Sequence, residues 1–387
     1  MRGTDHDHLP CAQPGHLGPA EPGQCPRAAG ATLMHARAHP VVEGVRSLVS
    51  SPLAAIMNLA ALAAFVAILK PLIEWGLIDA VWTGDSGADC PPGSGACWAF
   101  IHDKLRLIFF GRFPGPEQWR AGVATALMVA LVMASLTPPF WGRRLVMGWA
   151  AGLVVYFVLM AGGILALTPV PSTDWGGLPL TVLLTVFGSG VGLVLSVPVA
   201  LARVSRLPVF RIAATIYVEA VRGVPLISVL FMASVLLPVV LPEGLTPGGI
   251  GRALAGIVVF FAAYMAEVLR GGLQSLDKGQ YEAAAALGMR YWPVMLKVVL
   301  PQAFVIVLPA IVNMLISALK GTSLVVIVSM MDLLGTTRAA LADPDWIGFY
   351  VEAYVFAGLI YAIMCGGVSW YGRRIEKRFV SAREHKN

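Results

Sequence analysis

Charge is scarce in this sequence. Only 13% of its 387 residues are Asp, Glu, Lys or Arg against 57% hydrophobic, and the mean hydropathy is +0.74. A soluble domain carries about a quarter charged residues, so water is excluded as the main solvent. Cysteine and histidine are few as well: the 5 Cys and 7 His do not fall into the paired spacings of a zinc site. His6, Asp7 and His8 stand close together, but nothing completes a ligand set, and no metal is expected. The glycine-rich loop that ends in Gly-Lys-Ser or Gly-Lys-Thr and cradles phosphate is missing, and the cluster Gly188, Gly190, Gly192 lacks dinucleotide-loop spacing. No Ser-His-Asp set and no pair of catalytic carboxylates emerges, which argues against an enzyme in its own right. If ATP drives this protein, another chain binds the nucleotide. The net charge of +6 does not point to nucleic acid either, because most cations sit in short segments between apolar runs.

Those apolar runs are what the sequence has in abundance. They fall at roughly 52–73, 121–141, 145–168, 177–202, 212–241, 249–270, 302–331 and 349–371, each near the length of about 20 residues that crosses a hydrocarbon core. Long continuous runs rather than short alternating ones predict helices, so the fold class is an all-α integral membrane protein with about eight transmembrane helices. Residues 1–50 are rich in Pro, Gly and His and read as a disordered tail, followed by a three-helix extension at 51–170 with a loop at 74–120. A five-helix core at 177–375 and a short tail at 376–387 complete the chain. Arg143 and Arg144, Arg203 and Arg206, Lys278 and Arg290, then Arg373 and Arg374 share one side of an eight-span chain, which predicts cytoplasmic termini. Cys90 and Cys97 bracket a Pro-Pro-Gly-Ser-Gly stretch in the opposite, oxidising compartment, where a disulfide and two unpaired thiols are both open readings. Gly148 with Gly152 and Gly188 with Gly192 have the spacing that lets helix backbones approach closely.

The most informative segment connects two spans on the cation-rich side, at 278–301. Tyr281 to Leu287 favours helix, Gly288 suits the left-handed residue that ends one, and Pro293 suits the first turn of the next. Glu282, Ala283, Ala284, then Gly288, then Val298, Leu300 and Pro301 resemble the coupling loop of ABC-importer permeases, whose pattern is E-A-A-x3-G-x9-I-x-L-P, with Val298 in place of Ile. Around it, Tyr217 to Leu226, Ala266 to Gly272 and Leu319 to Leu324 are similar to permeases of polar amino-acid importers, although Gly321 stands where those usually have an acidic or amide residue. The likeness covers roughly 177–375, and the preceding spans, with the stretch Ala342 to Trp346, resemble the larger permease of general L-amino-acid importers. That resemblance implies a bacterial inner-membrane subunit that docks on a separate ATPase dimer through Glu282, Ala283, Ala284, Gly288, Val298, Leu300 and Pro301. It further implies a second permease, a periplasmic amino-acid-binding protein, surrounding lipid and no directly bound cofactor, ATP acting through the partner.

Six charges lie within or beside the core spans: Glu219, Arg222, Glu267, Arg270, Lys320 and Asp332. Facing lipid each would cost several kcal/mol, so they face protein or water. Both signs together would suit a zwitterionic solute in a translocation path; alternatively Glu219 with Arg222 and Glu267 with Arg270, each three residues apart, are structural ion pairs. Lys320 and Asp332 have no local partner in sequence and stand as the better path candidates. An ion-coupled secondary transporter, or a permease for another small solute, remains the competing reading.

Overall fold

The computed structural model describes residues 51–135, 142–242 and 244–384, with side chains as far as Lys377. The tail 1–50, including His6, Asp7 and His8, and the last residues 385–387 lie outside them. The chain forms two compact units, Met1–Leu69 and Lys70–Asn387. The described part of the first is the body of helix α1 (Pro52–Ile73), which carries no charged residue before Lys70. A helix apolar on every side belongs in hydrocarbon or in a core.

The second unit opens with the last turn of α1 and a π turn, Glu74–Ile78. It then contains α2 (Trp98–Phe110), α3 (Gln118–Ser135), α4 (Arg143–Ala161) and α5 (Gly177–Val204). After these come α6 (Pro208–Arg222), α7 (Leu226–Val240), α8 (Gly249–Gln274), α9 (Lys278–Ala286) and α10 (Tyr291–Val294). A second π turn, Met295–Val299, leads into α11 (Leu300–Gly321), and α12 (Leu333–Ala340) and α13 (Tyr350–Glu384) end the chain. No strand forms among the described residues. Seven helical stretches are long and apolar enough to cross a membrane, eight when α6 and α7 count as one bent span.

Three expected boundaries move, each for a local reason. The run at 212–241 is two helices bent by 106° rather than one span. Pro225 has no N–H to offer and disfavours helical geometry at Val224, so α6 stops at Arg222 and α7 starts afresh. The run at 145–168 leaves the helix at Ala161, where Gly162 and Gly163 take φ of +66 and +80°. The run at 302–331 changes from α to a 3₁₀ stretch, Thr322–Val328, closed by left-handed Ser329.

Helices α5 and α8 form the central pair, with α2, α3, α6, α7, α11 and α12 around them and α13 packed outside on α11. Their seam needs small residues: a Cβ on Gly188 would strike Ile257, and one on Gly192 would come within 3.1 Å of Phe261. In the same way Gly152 of α4 makes room for Leu131 of α3. Both Gly-x-x-x-Gly spacings therefore serve close packing.

The loop expected at 74–120 is an ordered cap built on α2. Val81 exchanges backbone hydrogen bonds with Ala96 and Trp98 at 2.9 and 2.7 Å, and Cys90 and Cys97 are joined in a disulfide with Cα atoms 6.0 Å apart. Phe100, Ile108, Leu333 and Trp346 make its buried core, and Trp346 Nε1 donates to Asp103 Oδ2 at 2.8 Å. Lys104 bridges Asp103 and Asp343 at 2.9 and 2.6 Å. This cap meets the first turn of α5, where a Cβ on Gly177 would strike the Phe109 carbonyl, and it is tied to α12 by Thr336 Oγ1, which donates to the Ile108 carbonyl at 2.7 Å. The 28 residues of α5 carry the chain about 40 Å from there to Val204, at the other end of the bundle.

Candidate functional site

At that far end sits the segment 278–301. Asp277 caps α9, its Oδ1 accepting from the Gly279 N–H at 2.9 Å, and four consecutive alanines, Ala283 to Ala286, sustain the helix. Gly288 then turns the chain with φ +72°, a conformation that L side chains adopt only at a cost. Its N–H donates to the Ala285 carbonyl at 2.9 Å and that of Met289 to the Ala284 carbonyl at 3.2 Å, satisfying the helix end. Across the turn α10 starts, and the π turn passes its chain into α11, with Pro301 in the first turn. The result is a helix–turn–helix with two unlike sides. Ala284, Val294, Met295, Val299 and Leu300 are buried, packed with Ala200 of α5, Val218 of α6, Leu269 of α8 and Ala303 of α11. Leu287 is 80% exposed and Trp292 60%, with Tyr291 and Leu296 also in the open.

Glu282 sits in the second turn of α9, not at its start, so the helix dipole does little for it. Its side chain is exposed, as are Ala283 and Pro301, and it makes no ion pair among the described residues. Val298 is half-buried and its carbonyl accepts from Gln302 Nε2 at 2.9 Å.

Just inside this segment four of the span charges converge, and of the two expected pairs Glu267 with Arg270 forms while Glu219 with Arg222 does not. Glu219 does not pair with Arg222; its Oε1 lies 2.9 Å from Nη2 of Arg203, sixteen residues earlier on another helix. Arg203 also pairs closely with Glu267 through Nη1. Arg270 binds Glu267 with two nitrogens, Nη2–Oε1 at 2.6 Å and Nε–Oε2 at 3.0 Å, while Arg222 Nη1 stands 3.9 Å from the same carboxylate. Glu267 thus gathers three guanidinium groups from α5, α6 and α8, holding together the helices on which the helix–turn–helix rests. In sequence Arg203 counts toward the orientation and not as a site residue; a cation after the apolar Ala200-Leu201-Ala202, inside a span end, was the signal available.

Asp332 is enclosed by the fold. It is fully buried and caps α12, Oδ1 accepting from the Gly335 N–H and Oδ2 from the Tyr361 hydroxyl, both at 2.9 Å. Every role visible for it is structural: it fastens α12 to α13, beside the start of α5, where Gly177 N–H meets the Met331 carbonyl at 2.8 Å. Lys320 is different, for it is exposed and borders a cleft of about 240 Å³ with Ser323, Tyr354 and Tyr361. No carboxylate among the described residues lies within ion-pair reach of it. Gly321 beside it is close-packed: a Cβ there would stand 3.0 Å from Leu226 Cδ2, so a larger side chain needs the end of that leucine to shift. No group of three or more His, Cys, Asp or Glu that could hold a metal occurs among the described residues.

A bundle of helices long and apolar enough to cross a bilayer, with an apolar helix–turn–helix in the open at one end and tied inwardly to its central helices, has the architecture of a membrane transport subunit. The comparisons agree with that class. Residues 192–381 match the family of binding-protein-dependent transport system inner membrane components. The inner membrane amino-acid ABC transporter permease protein YhdY of Escherichia coli (strain K12) is 43% identical over 323 residues, 82% of this chain and 86% of that one. The glutamate/glutamine/aspartate/asparagine transport system permease protein BztC of Rhodobacter capsulatus is 32% identical, over 88% of this chain and 93% of that one. A solved chain described as an amino acid ABC transporter with histidines aligns with 51% of this chain and 90% of its own, at 28% identity and a TM-score of 0.46. The chain belongs to the family of ABC-importer permeases, the membrane subunits that leave ATP hydrolysis to a separate chain.

Proposed function

We propose that this permease carries amino acids, and that residues 278–301 dock on its ATPase and pass the movement of that subunit inward. The observation that supports this most is the two-sidedness of the helix–turn–helix: apolar side chains in the open on one face, and on the other a buried cluster continuous with α5, α6, α8 and α11. The amino-acid relatives favour the substrate class. Arg222, Arg270, Arg203 and Glu267 act as a closure at the inner mouth, and Lys320, exposed and unpaired, offers a cation to a substrate carboxylate. Asp332 has no part in that path. The termini are cytoplasmic, the cap at 74–117 faces the periplasm with Cys90 and Cys97 oxidised, and the working complex includes a second permease, an ATPase dimer and a periplasmic binding protein.

Native-membrane copurification with uptake of labelled amino acids tests the reading. An ATPase and a second permease are expected to accompany the chain, and uptake should survive a protonophore while cellular ATP is held constant. Uptake that collapses with the ion gradient alone would put the secondary transporter ahead. For the orientation, a periplasm-active reporter should work at Ser94 and fail at Ser381.

A further inference from the structure

Between α3, α5, α11 and α13 lies a cavity of about 320 Å³ whose walls are hydrocarbon, among them Val132, Val186, Leu319 and Met364. Its two hydroxyls are already engaged: that of Thr185 donates to the Thr181 carbonyl at 2.8 Å and that of Tyr371 to the Met133 carbonyl at 3.1 Å. A polar solute finds few partners there, and water gains little in a space so poor in donors and acceptors. Trp370 and Tyr371 close the end where α3 finishes, the position that aromatic residues take at a membrane–water boundary. Immediately beyond them stand two cations. The guanidinium of Arg374 lies over the Trp370 ring, 5.2 Å from its centroid, and Arg373 Nη1 donates to Ser369 Oγ at 2.6 Å. Both are exposed, and neither is within ion-pair distance of a carboxylate among the described residues.

We propose that this cavity is an acyl-chain site for an anionic glycerophospholipid of the surrounding bilayer, with the phosphate held by Arg373 and Arg374. The two halves of such a molecule match the two halves of the site: a hydrocarbon hollow open between helices, and uncompensated positive charge one turn further along α13. The size fits as well. About 320 Å³ is near the lower end of ligand cavities and suits one chain, whereas a helix of about 10 Å diameter would need the surrounding helices to part.

The test uses the importer purified with its partner subunits and placed in nanodiscs of phosphatidylcholine doped with phosphatidylglycerol, with retained lipid read by native mass spectrometry. Gly367 borders the cavity, and a Cβ there meets no atom within 4 Å, so Gly367→Leu fills the space while favouring the helix. The unaltered protein should retain phosphatidylglycerol over phosphatidylcholine by roughly tenfold, given two cations near the surface. Arg373→Gln with Arg374→Gln should abolish that preference but keep a bound chain, and Gly367→Leu should lose both lipids. Equal retention of the two lipids by the unaltered protein, or undiminished retention by Gly367→Leu, overturns the proposal. So does a benzoylphenylalanine photoprobe at Ile363 that labels a partner subunit or α1 instead of lipid.

Discussion

Two tryptophans at opposite ends of α5 stand in opposite situations. Trp346 is 1% exposed, packed on Phe100 with ring centroids 5.8 Å apart, and its indole N–H is satisfied by Asp103. Trp292 is 60% exposed and, among the described residues, pairs with the ring of Tyr291 alone, at 5.4 Å. One end of the molecule has completed its own packing and locked it with a disulfide; the other holds out large apolar side chains that water does not reward. The same residue type is therefore part of a closed core at one end and of an open apolar face at the other.

The same substitution at both sites is the sharpest way to break this contrast. Trp346→Ala empties a well-packed site and should cost about 3–5 kcal/mol, seen as a lower thermal midpoint of the purified protein. Trp292→Ala should shift stability by no more than about 0.5 kcal/mol, yet reduce the ATPase recovered in a pull-down. Equal loss of stability in the two variants would erase the distinction.

A smaller effect on stability is expected at Gly288, with a larger one on transport. Nothing lies within 4 Å of a Cβ placed there, so Gly288→Val is penalised through its φ of +72° alone, about 1–2 kcal/mol. Asn tolerates that conformation far better and should rescue. Membrane abundance should stay normal for both variants while uptake fails for Val and largely returns for Asn; unimpaired uptake by Gly288→Val would remove the coupling role.

The smallest effect concerns the Lys104 bridge of the cap. Hydrogen bonds from Lys104 and from the Asp345 N–H hold the Asp343 carboxyl below the ordinary aspartate range. Burial disfavours the charge on Lys104, but its bonds to Asp343 and Asp103 outweigh that and raise its pKa. The Asp343 contribution is complete above the unfolded aspartate's pKa and is lost as pH falls through the lower, folded value. The Lys104 contribution is complete below the unfolded lysine's pKa and is lost as pH rises through the higher, folded one. Asp343→Asn should accordingly lower the thermal midpoint by a constant amount around neutrality, and the gap to the unaltered protein should close in strong acid. A gap unchanged in acid would exclude the ion pair as its source.

Much of this was legible from residue order. Long uncharged runs fixed the membrane class because length and polarity are local properties, and the spacing from Glu282 to Pro301 located the helix–turn–helix because its caps and turn are local too. Partnerships between helices were not legible. Arg222 is three residues from Glu219 in sequence, but the carboxylate turns to Arg203, because α5 and α6 lie side by side and no single-helix spacing encodes that. Asp332 looked free for the same reason: Tyr361, which satisfies it, arrives from a helix 29 residues on. The break at Val224 was written in the sequence, since Gly223-Val224-Pro225 is a helix breaker, but unbroken hydropathy on both sides masked it.

The π turn at Met295–Val299 makes the junction between the helix–turn–helix and α11 a matter of phase. An α-helix advances about 100° per residue, and a π turn accommodates one residue more than the α-helical count. Everything from Leu300 onward is thereby rotated by about that angle relative to α10. If the extra residue were absorbed or released as an ATPase partner closed, α11 would turn about its own axis by about 100° and shift along it by about 1.5 Å, and the side chains it presents near Lys320 would change as on a dial.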